Sequence, residues 1–224
     1  MRPFAAAVLS SALAGLCAAR PQQVLQAFSN VKVPVILGVM SRCPDAILCE
    51  GVFDQVLDAV GDKVDISLSF LGKANSTEPS GVSCLHGRQE CTGNIQELCV
   101  AKYAPDAWWR LVICLDNLGK ERIGTEEGLV QCAKTVDLDL DQSGISQCIS
   151  GPEGASLLQA SVRQSEQLGI RSSCTILING AVRCVHDGTW KECNGGYEVS
   201  DFVESINEEY DALNPKSVDS LSSL

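Results

Sequence analysis

Cysteine content is the sequence feature that most restricts how this chain can fold. The chain has 12 cysteines in 224 residues, a density typical of proteins that form disulfides in an oxidising compartment. Cys17 lies in the N-terminal segment that is interpreted below as a cleaved leader, so 11 cysteines stay in the rest of the chain. Because 11 is odd, we expect at least one thiol to stay free, to be capped or to pair between chains.

The N-terminus is typical of a cleaved secretory signal. Arg2 is followed by an alanine-rich apolar run that ends in small residues, and the run is too short for a stable membrane span. We predict a signal peptide over residues 1–19, with an uncleaved anchor as the alternative. Asn75 opens an acceptor tripeptide for N-glycosylation and is predicted to carry a glycan. The expected location is the secretory pathway, ending outside the cell or in a lysosome- or vacuole-like organelle.

Net charge excludes two classes of partner. Loss of residues 1–19 removes only Arg2 from the charge count, which leaves 16 basic and 28 acidic residues and a net charge of −12. A surface this acidic repels nucleic acid and anionic membranes, so we expect neither as a partner.

Residues 33–71 predict a β-α-β unit. An apolar run typical of a buried strand ends at Met40, and residues 44–60 then carry apolar side chains at helical spacing, with Pro44 at the first helical position. Residues 64–71 alternate apolar and polar, the period of a half-buried strand. Two parallel strands and a right-handed crossover are therefore expected. Cys43 lies in the turn after the first strand, where α/β proteins gather functional groups.

The rest of the chain predicts a thioredoxin-like arrangement. Between about residues 75 and 150 six cysteines lie among short helical stretches, which indicates a helical, disulfide-stapled insertion. A helix, a hairpin and a closing helix over about 200–213 follow. We predict an α/β, thioredoxin-like domain over residues 30–213, followed by a flexible tail over residues 214–224.

The hairpin turn Asn179-Gly180 predicts a strand register and hence a disulfide. The register pairs Ile178 with Ala181, Thr175 with Cys184, and Cys174 with Val185. Cys174 and Cys184 would then point to opposite faces of the sheet and could not bond. We therefore predict a Cys184–Cys193 disulfide, with Cys174 left on the active-site side near Cys43.

Residues 84–99 carry a motif that is specific to one family. The segment matches the signature C-Q-H-G-x-x-E-C-x-x-N-x-x-x-x-C except at its second position, where Leu85 replaces Gln. The matching residues are Cys84, His86, Gly87, Glu90, Cys91, Asn94 and Cys99. The chain thus resembles the gamma-interferon-inducible lysosomal thiol reductase (GILT) family, and the resemblance covers most of residues 33–213. It implies a thioredoxin-like fold and the reduction of disulfides in substrate proteins.

The cysteines of this motif are interpreted as disulfide cysteines. A Cys, His and Glu set could suggest zinc, but a secretory context with this cysteine density favours disulfides over a metal site. We therefore predict neither a metal nor another cofactor. His86 has two possible roles, a proton carrier near the thiol or a hydrogen-bonded histidine that holds the loop. His186 is expected to be exposed and without a functional role.

Cys43 is the candidate nucleophile. A thiol at a helix N-terminus is stabilised as thiolate by the helix dipole and the free N–H groups. Arg42 adds a positive charge beside it, and Asp45 opposes that effect. The alternative role for Cys43 is a disulfide cysteine that caps the helix.

The chain departs from the family pattern at two points. The family carries Cys-x-x-Cys, whereas Ala46 stands here in place of the second cysteine, and Cys49 lies about 9 Å further along the helix, out of reach of Cys43. The family's cis-proline position falls on or beside Cys174. One interpretation makes Cys43 a monothiol nucleophile whose mixed disulfide is resolved by a small external thiol or by Cys174. The other is a redox-inactive, disulfide-stapled binding or structural module on the same fold.

Overall fold

The structure is a computed structural model that describes residues 30–215, and the elements below belong to the unit that begins at Val31. The strands are β1 Val33–Val39, β2 Val64–Phe70, β3 Lys73–Ala74, β4 Val82–Ser83, β5 Thr175–Ile178, β6 Ala181–His186 and β7 Trp190–Lys191. Five of them form a mixed sheet in the order β2-β1-β5-β6-β7, in which β1 and β2 are parallel and the other neighbours antiparallel. β3 and β4 form a separate pair.

The described part of the chain contains seven α-helices. They are α1 Pro44–Val60, α2 Arg88–Tyr103, α3 Trp108–Leu118, α4 Glu126–Thr135, α5 Ile145–Ser150, α6 Pro152–Gln167 and α7 Val199–Leu213, and a 3-10 turn at Gly61–Lys63 follows α1.

The predicted β-α-β unit is confirmed by β1, α1 and β2. Pro44 occupies the first position of α1, where its fixed φ and its missing N–H do no harm. Cys43 precedes it in an extended conformation as the N-cap residue. Phe53 and Val56 on the apolar side of α1 are fully buried. The ring of Phe53 lies 5.2 Å from that of Phe202 on α7, so α1 and α7 pack against each other.

Hydroxyl groups join α6 to β2. The Ser161 hydroxyl accepts a hydrogen bond from the Phe70 N–H at 2.8 Å, and the Ser69 and Ser165 hydroxyls lie 2.7 Å apart. All four residues are buried. These pairings satisfy polar groups that would otherwise be left without partners between helix and strand.

The region predicted as a helical insertion contains α2 to α5 and has a core of its own. Val100, Leu111, Leu115, Ile123 and Ile145 pack together there. Two disulfides, Cys99–Cys148 and Cys114–Cys132, close this core. Such staples suit a layer that is too small to bury much apolar surface alone.

The predicted hairpin forms, but its predicted register is wrong. Ile178 pairs with Ala181 as expected, and a bulge at Arg183 then shifts the ladder, so that Ile176 faces Cys184 and Thr175 faces Val185. Cys174 exchanges two backbone hydrogen bonds of 2.8 Å with His186. The bulge directs Arg183 to α7, where its guanidinium bonds to the Ser205 hydroxyl and lies over the Phe202 ring.

The predicted terminal segments lie largely outside the described residues. The signal peptide over 1–19 does so entirely, as does the predicted tail beyond residue 215. Asn214, the first residue of that tail, is held in place because its side chain bonds to both the N–H and the carbonyl of Val31, at 2.7 and 2.8 Å. No helix within residues 30–215 is both long and apolar enough to cross a membrane.

Candidate active site

The turn between β1 and α1, residues 41–46, places the candidate nucleophile, and we call it the Cys43 turn. The N–H of Cys43 bonds to the Met40 carbonyl at 2.8 Å, which bends the chain into the helix. The Cys43 sulfur lies 3.9 Å from Oδ2 of Asp45 and 4.0 Å from the carbonyl oxygen of Ser173. Cys43 is 6% exposed and is the free cysteine among residues 30–215.

Asp45 connects the Cys43 turn to the β6–β7 turn. Its Oδ1 accepts a hydrogen bond from the Gly188 N–H at 2.9 Å. The same oxygen lies 2.6 Å from Nδ1 of His186, within the distance of an ion pair but without the alignment of a hydrogen bond. The expectation that His186 is exposed is therefore wrong. Its side chain is turned inward by the bulged register, is only 8% exposed, and packs edge-on against Trp190.

Cys174 is not the unpaired residue that the sequence suggested. It forms a disulfide with Cys49 of α1, across a Cα–Cα distance of 6.3 Å, and both residues are fully buried. Alternation along the strand gives Cys174 the same face as Ile176, and the disulfide shows that Cys174 meets α1 at Cys49 on that face. The Ser173–Cys174 peptide bond is cis, at the place where the family pattern has its cis-proline.

The signature segment, residues 84–99, forms a loop and the first turns of α2. A disulfide joins Cys84 to Cys91, as expected for two cysteines assigned to staples. The imidazole ring of His86 contacts Oε2 of Glu90, and the backbone N–H of His86 donates a hydrogen bond to Oε1 of Glu90 at 3.2 Å. Glu90 is fully buried. These contacts fit the loop-holding role for His86.

The signature segment also holds the backbone of the Cys43 turn, which sequence reasoning missed. Oδ1 of Asn94 accepts a hydrogen bond from the Ser41 N–H at 3.1 Å. The guanidinium of Arg42 donates to the carbonyl of His86 at 3.3 Å and to that of Lys120 at 2.9 Å. The motif's spacing could not reveal these partners, because they are about 45 to 80 residues away in sequence.

Glycine at position 93 permits this close approach. A Cβ atom there would lie 2.7 Å from the Ser41 hydroxyl and 2.9 Å from Cγ2 of Ile123. Both contacts are shorter than van der Waals distance, so any side chain at position 93 would push the Cys43 turn away from α2.

The remaining predicted cysteine pairing agrees with the structure, although the reason given for it does not. Cys184 bonds to Cys193. The prediction assumed that Cys174 and Cys184 point to opposite faces, whereas the bulge puts them on the same face. They stay unbonded to each other because Cys49 from α1 pairs with Cys174 instead.

Three carboxyl groups meet below the N-terminal half of α1. Glu50 of α1 and Glu97 of α2 are almost fully buried, and Asp116 of α3 is largely buried. Burial, together with repulsion from the neighbouring carboxylates, raises the pKa of Glu50 and Glu97 well above the usual range. Burial raises the pKa of Asp116 to about 7, and its hydrogen bond to Glu50 opposes that rise. The group of three therefore holds protons at acidic pH.

An apolar groove of about 510 Å³ begins at Met40, three residues before Cys43. Its apolar lining includes Leu85, Val162 and Ile170, and charged side chains such as Arg171 lie at the same groove. Leu85 is 76% exposed. Such a surface suits a ligand that is partly apolar.

The predicted acceptor residue Asn75 follows β3 in a turn and is partly exposed. Its Nδ2 donates to the Ser83 hydroxyl at 2.8 Å, and its Oδ1 accepts from the Thr77 hydroxyl. Glycosylation of Asn75 stays a prediction.

Comparison with protein families supports the resemblance that the signature segment indicates. The family model described as gamma interferon inducible lysosomal thiol reductase (GILT) matches residues 34–136, which include both the Cys43 turn and the signature segment. Over this stretch, which is a little under half of the chain, the sequence is similar to the GILT family. GILT-like protein 1 of Drosophila melanogaster is 25% identical to it over 189 residues, which are 76% of this chain and 75% of that protein.

Solved structures confirm the thioredoxin-like α/β fold. BdbD from Bacillus subtilis aligns with a TM-score of 0.58 at 16% identity, over 80% of this chain and 88% of its own. A thioredoxin-like oxidoreductase from Silicibacter pomeroyi aligns with a TM-score of 0.54 at 14% identity, over 80% and 87%. At these identities the likeness concerns the fold alone. The chain differs from the GILT family pattern at position 46, where alanine replaces the second cysteine of Cys-x-x-Cys.

Proposed function

We propose that this GILT-like protein is a thiol–disulfide oxidoreductase that reduces disulfides in substrate proteins, with Cys43 as the attacking thiol. The observation that carries the proposal is the contrast among the described cysteines. Ten of them are paired in five disulfides, and the free one lies at the N-terminus of α1 in the turn that follows β1. A helix N-terminus stabilises a thiolate through its dipole and its free N–H groups.

The reaction begins when the Cys43 thiolate attacks one sulfur of the substrate disulfide and forms a mixed disulfide. Because Ala46 cannot resolve this intermediate, the second thiol must come from elsewhere. A small external thiol is one source, and Cys174 is the other once its bond to Cys49 is reduced. The second candidate function, a redox-inactive binding or structural module, is favoured only by the alanine at position 46.

Two substitutions test the proposal by reduction of insulin with a small thiol as the electron donor. We expect Cys43→Ser to abolish turnover, and Ala46→Cys to raise it because a Cys-x-x-Cys pair is restored. Ala46→Ser is the matched control for size and polarity, and it should leave turnover at the wild-type level. Full activity of Cys43→Ser would rule out Cys43 as the attacking thiol, whereas no turnover by the wild type together with an equal response to serine and cysteine at position 46 would favour the redox-inactive module.

We also propose a secretory route that ends outside the cell or in a lysosome-like organelle. A GILT-type segment, five disulfides and the acceptor tripeptide at Asn75 support it. Expressed through a secretory pathway, the protein should lose about its first 19 residues and shift in mass on treatment with a glycosidase. Asn75→Gln should remove the glycosidase shift. A secreted product that retains Met1 would contradict the signal assignment.

A further inference from the structure

We propose that Cys43, Cys174 and Cys49 form a three-cysteine relay, in which the disulfide made during substrate reduction passes from Cys43 through Cys174 to Cys49. The proposal rests on the proposed function. It deepens that function by assigning a catalytic role to Cys49 and by naming the pair of thiols that supplies both electrons.

The arrangement of the three cysteines suits such a transfer. The Cys43 sulfur lies 4.0 Å from the carbonyl oxygen of Ser173, and that carbonyl belongs to the peptide bond leading into Cys174. The sulfur of Cys174 is bonded to that of Cys49. Cys174 is therefore the middle member, and thiol–disulfide exchange moves a bond between two partners through such a shared sulfur.

Hydrogen bonds fix the loop before Cys174 against the Cys43 turn. The N–H of Met40 donates to the Ser173 hydroxyl at 3.1 Å. On the other side, Asp45 accepts from Gly188, and His186 beside it is paired with Cys174 through two backbone hydrogen bonds. Thiol–disulfide exchange needs sulfurs that are kept close together, and these contacts hold the backbone segments that carry Cys43 and Cys174 against each other.

Exposure gives the relay a direction. Cys49 and Cys174 are fully buried, whereas Cys43 retains 6% of its surface. A substrate disulfide can therefore meet Cys43 first, and the inner pair is reached only through it.

The steps balance in atoms and electrons. The Cys43 thiol attacks the substrate disulfide, forms a mixed disulfide and releases the first substrate thiol. Cys174 then attacks the Cys43 sulfur, forms a Cys43–Cys174 bond and gives its proton to the second departing substrate thiolate. Cys49 attacks the Cys174 sulfur, forms the Cys49–Cys174 bond and returns its proton to Cys43. The substrate gains two electrons, Cys49 and Cys174 are oxidised, and an external dithiol reduces them for the next cycle.

The structure corresponds to the end of this sequence, with Cys43 free and Cys49 bonded to Cys174. The same exchange steps run in reverse when the external dithiol reduces the Cys49–Cys174 disulfide. Cys43 first attacks Cys174 and releases Cys49, and the dithiol then attacks the Cys43–Cys174 bond at Cys43. Cys43 should therefore control the reduction of a disulfide to which it does not belong.

The first experiment measures how fast dithiothreitol reduces each disulfide under native conditions, by quenched alkylation and peptide mapping. In Cys43→Ser we expect reduction of Cys49–Cys174 to be at least ~10-fold slower than in the wild type. The Cys184–Cys193 disulfide, whose Cys193 is partly exposed, is the internal control for folding and should be reduced at an unchanged rate. An unchanged rate at Cys49–Cys174 would overturn the relay.

The second experiment follows one turnover of the protein after reduction of Cys49–Cys174, with a chromogenic aromatic disulfide as the substrate. The relay predicts two released chromophore thiolates, a restored Cys49–Cys174 bond and a free Cys43. In Cys49→Ser the reaction should stop at a Cys43–Cys174 bond. Replacing both Cys114 and Cys132 with alanine removes a disulfide outside the relay and should leave all three products unchanged. A chromophore that stays on wild-type Cys43 would overturn the relay but leave Cys43 as the nucleophile, whereas an unreactive Cys43 would overturn the proposed function as well.

Discussion

The signature segment and the Cys43 turn touch each other, yet they have diverged from the family pattern to different extents. The segment keeps every signature position except the one occupied by Leu85, and its disulfide and its buried Glu90 are in place. The turn has lost the second cysteine, and its site for a cis-proline holds Cys174, bonded to Cys49. The residues that would react with a disulfide therefore differ from the family pattern, whereas the segment that holds the Cys43 turn in place matches it.

The contacts between the two regions explain this difference. Asn94 and His86 bond to the backbone of Ser41 and to the side chain of Arg42, and neither contacts the Cys43 sulfur within hydrogen-bonding distance. A turn needs the same support whichever thiol resolves the mixed disulfide. A family signature can therefore be present in a chain that lacks the second cysteine of Cys-x-x-Cys, and its presence indicates the fold of the site more directly than its mechanism.

The largest expected effect concerns the three buried carboxyl groups that meet where α1 packs near α2 and α3. The pKa of Asp116 is raised by burial from 3.8 to about 7 in the folded protein. Its protonation therefore stabilises the fold fully below pH about 4, and this contribution is lost as the pH rises through about 7. The difference corresponds to on the order of 4 kcal/mol.

Urea unfolding between pH 4 and 8 tests this, in a Cys43→Ser background that prevents disulfide exchange. We expect the free energy of unfolding to fall as the pH rises, and Asp116→Asn to remove a large part of the fall because an amide keeps a neutral hydrogen-bonding group beside Glu50. Asp58→Asn, on the exposed side of α1, is the matched control. Parallel pH curves for Asp116→Asn and its Cys43→Ser parent would show that this carboxyl does not titrate with a raised pKa in the folded protein.

Local patterns predicted the parts of the molecule that local forces determine. α1 and the placement of Cys43 follow from a helical apolar period, from Pro44 and from an adjacent strand, all within 40 residues of sequence. The signature motif indicated a resemblance to the GILT family, whose model matches residues 34–136. The loop-holding role considered for His86 agrees with its contact to Glu90 four residues away.

The parts that were missed depend on distant partners. The bulge at Arg183 forms where its guanidinium meets α7, and an alternating apolar pattern carries no information about that contact. One inserted residue in β6 turned Cys184 and His186 to the face on which Cys174 lies. The burial of His186 beside Asp45 follows from that shift. The Cys49–Cys174 bond spans 125 residues and depends on how α1 packs against the residue before β5, which no local pattern encodes.

A smaller effect is expected when the support of the Cys43 turn is removed. Asn94→Ala leaves the buried N–H of Ser41 without its partner, which should lower the free energy of unfolding by about 1–3 kcal/mol. Turnover should fall as well, although Cys43 is intact. Cys43→Ser should show the reverse pattern, with no turnover and a stability within about 0.5 kcal/mol of the wild type. If Asn94→Ala lowers stability but keeps full turnover, the segment stabilises the fold without positioning the turn.

The smallest effect should come from the one signature position that differs from the family. Leu85 is mostly exposed and lines the groove with Met40 and Ile170, so Leu85→Gln should leave stability within about 0.5 kcal/mol of the wild type. If the side chain packs on bound substrate, losing part of that burial is worth about 1 kcal/mol and should raise KM about fivefold. The value of kcat should stay unchanged, because Leu85 has no contact with the sulfur of Cys43 that would act in the chemical step. Val182→Gln, another exposed apolar residue but outside the groove, is the matched control and should alter neither constant. A fall in kcat at unchanged KM would instead place Leu85 among the residues that support the Cys43 turn, and the groove would lose its role in substrate binding.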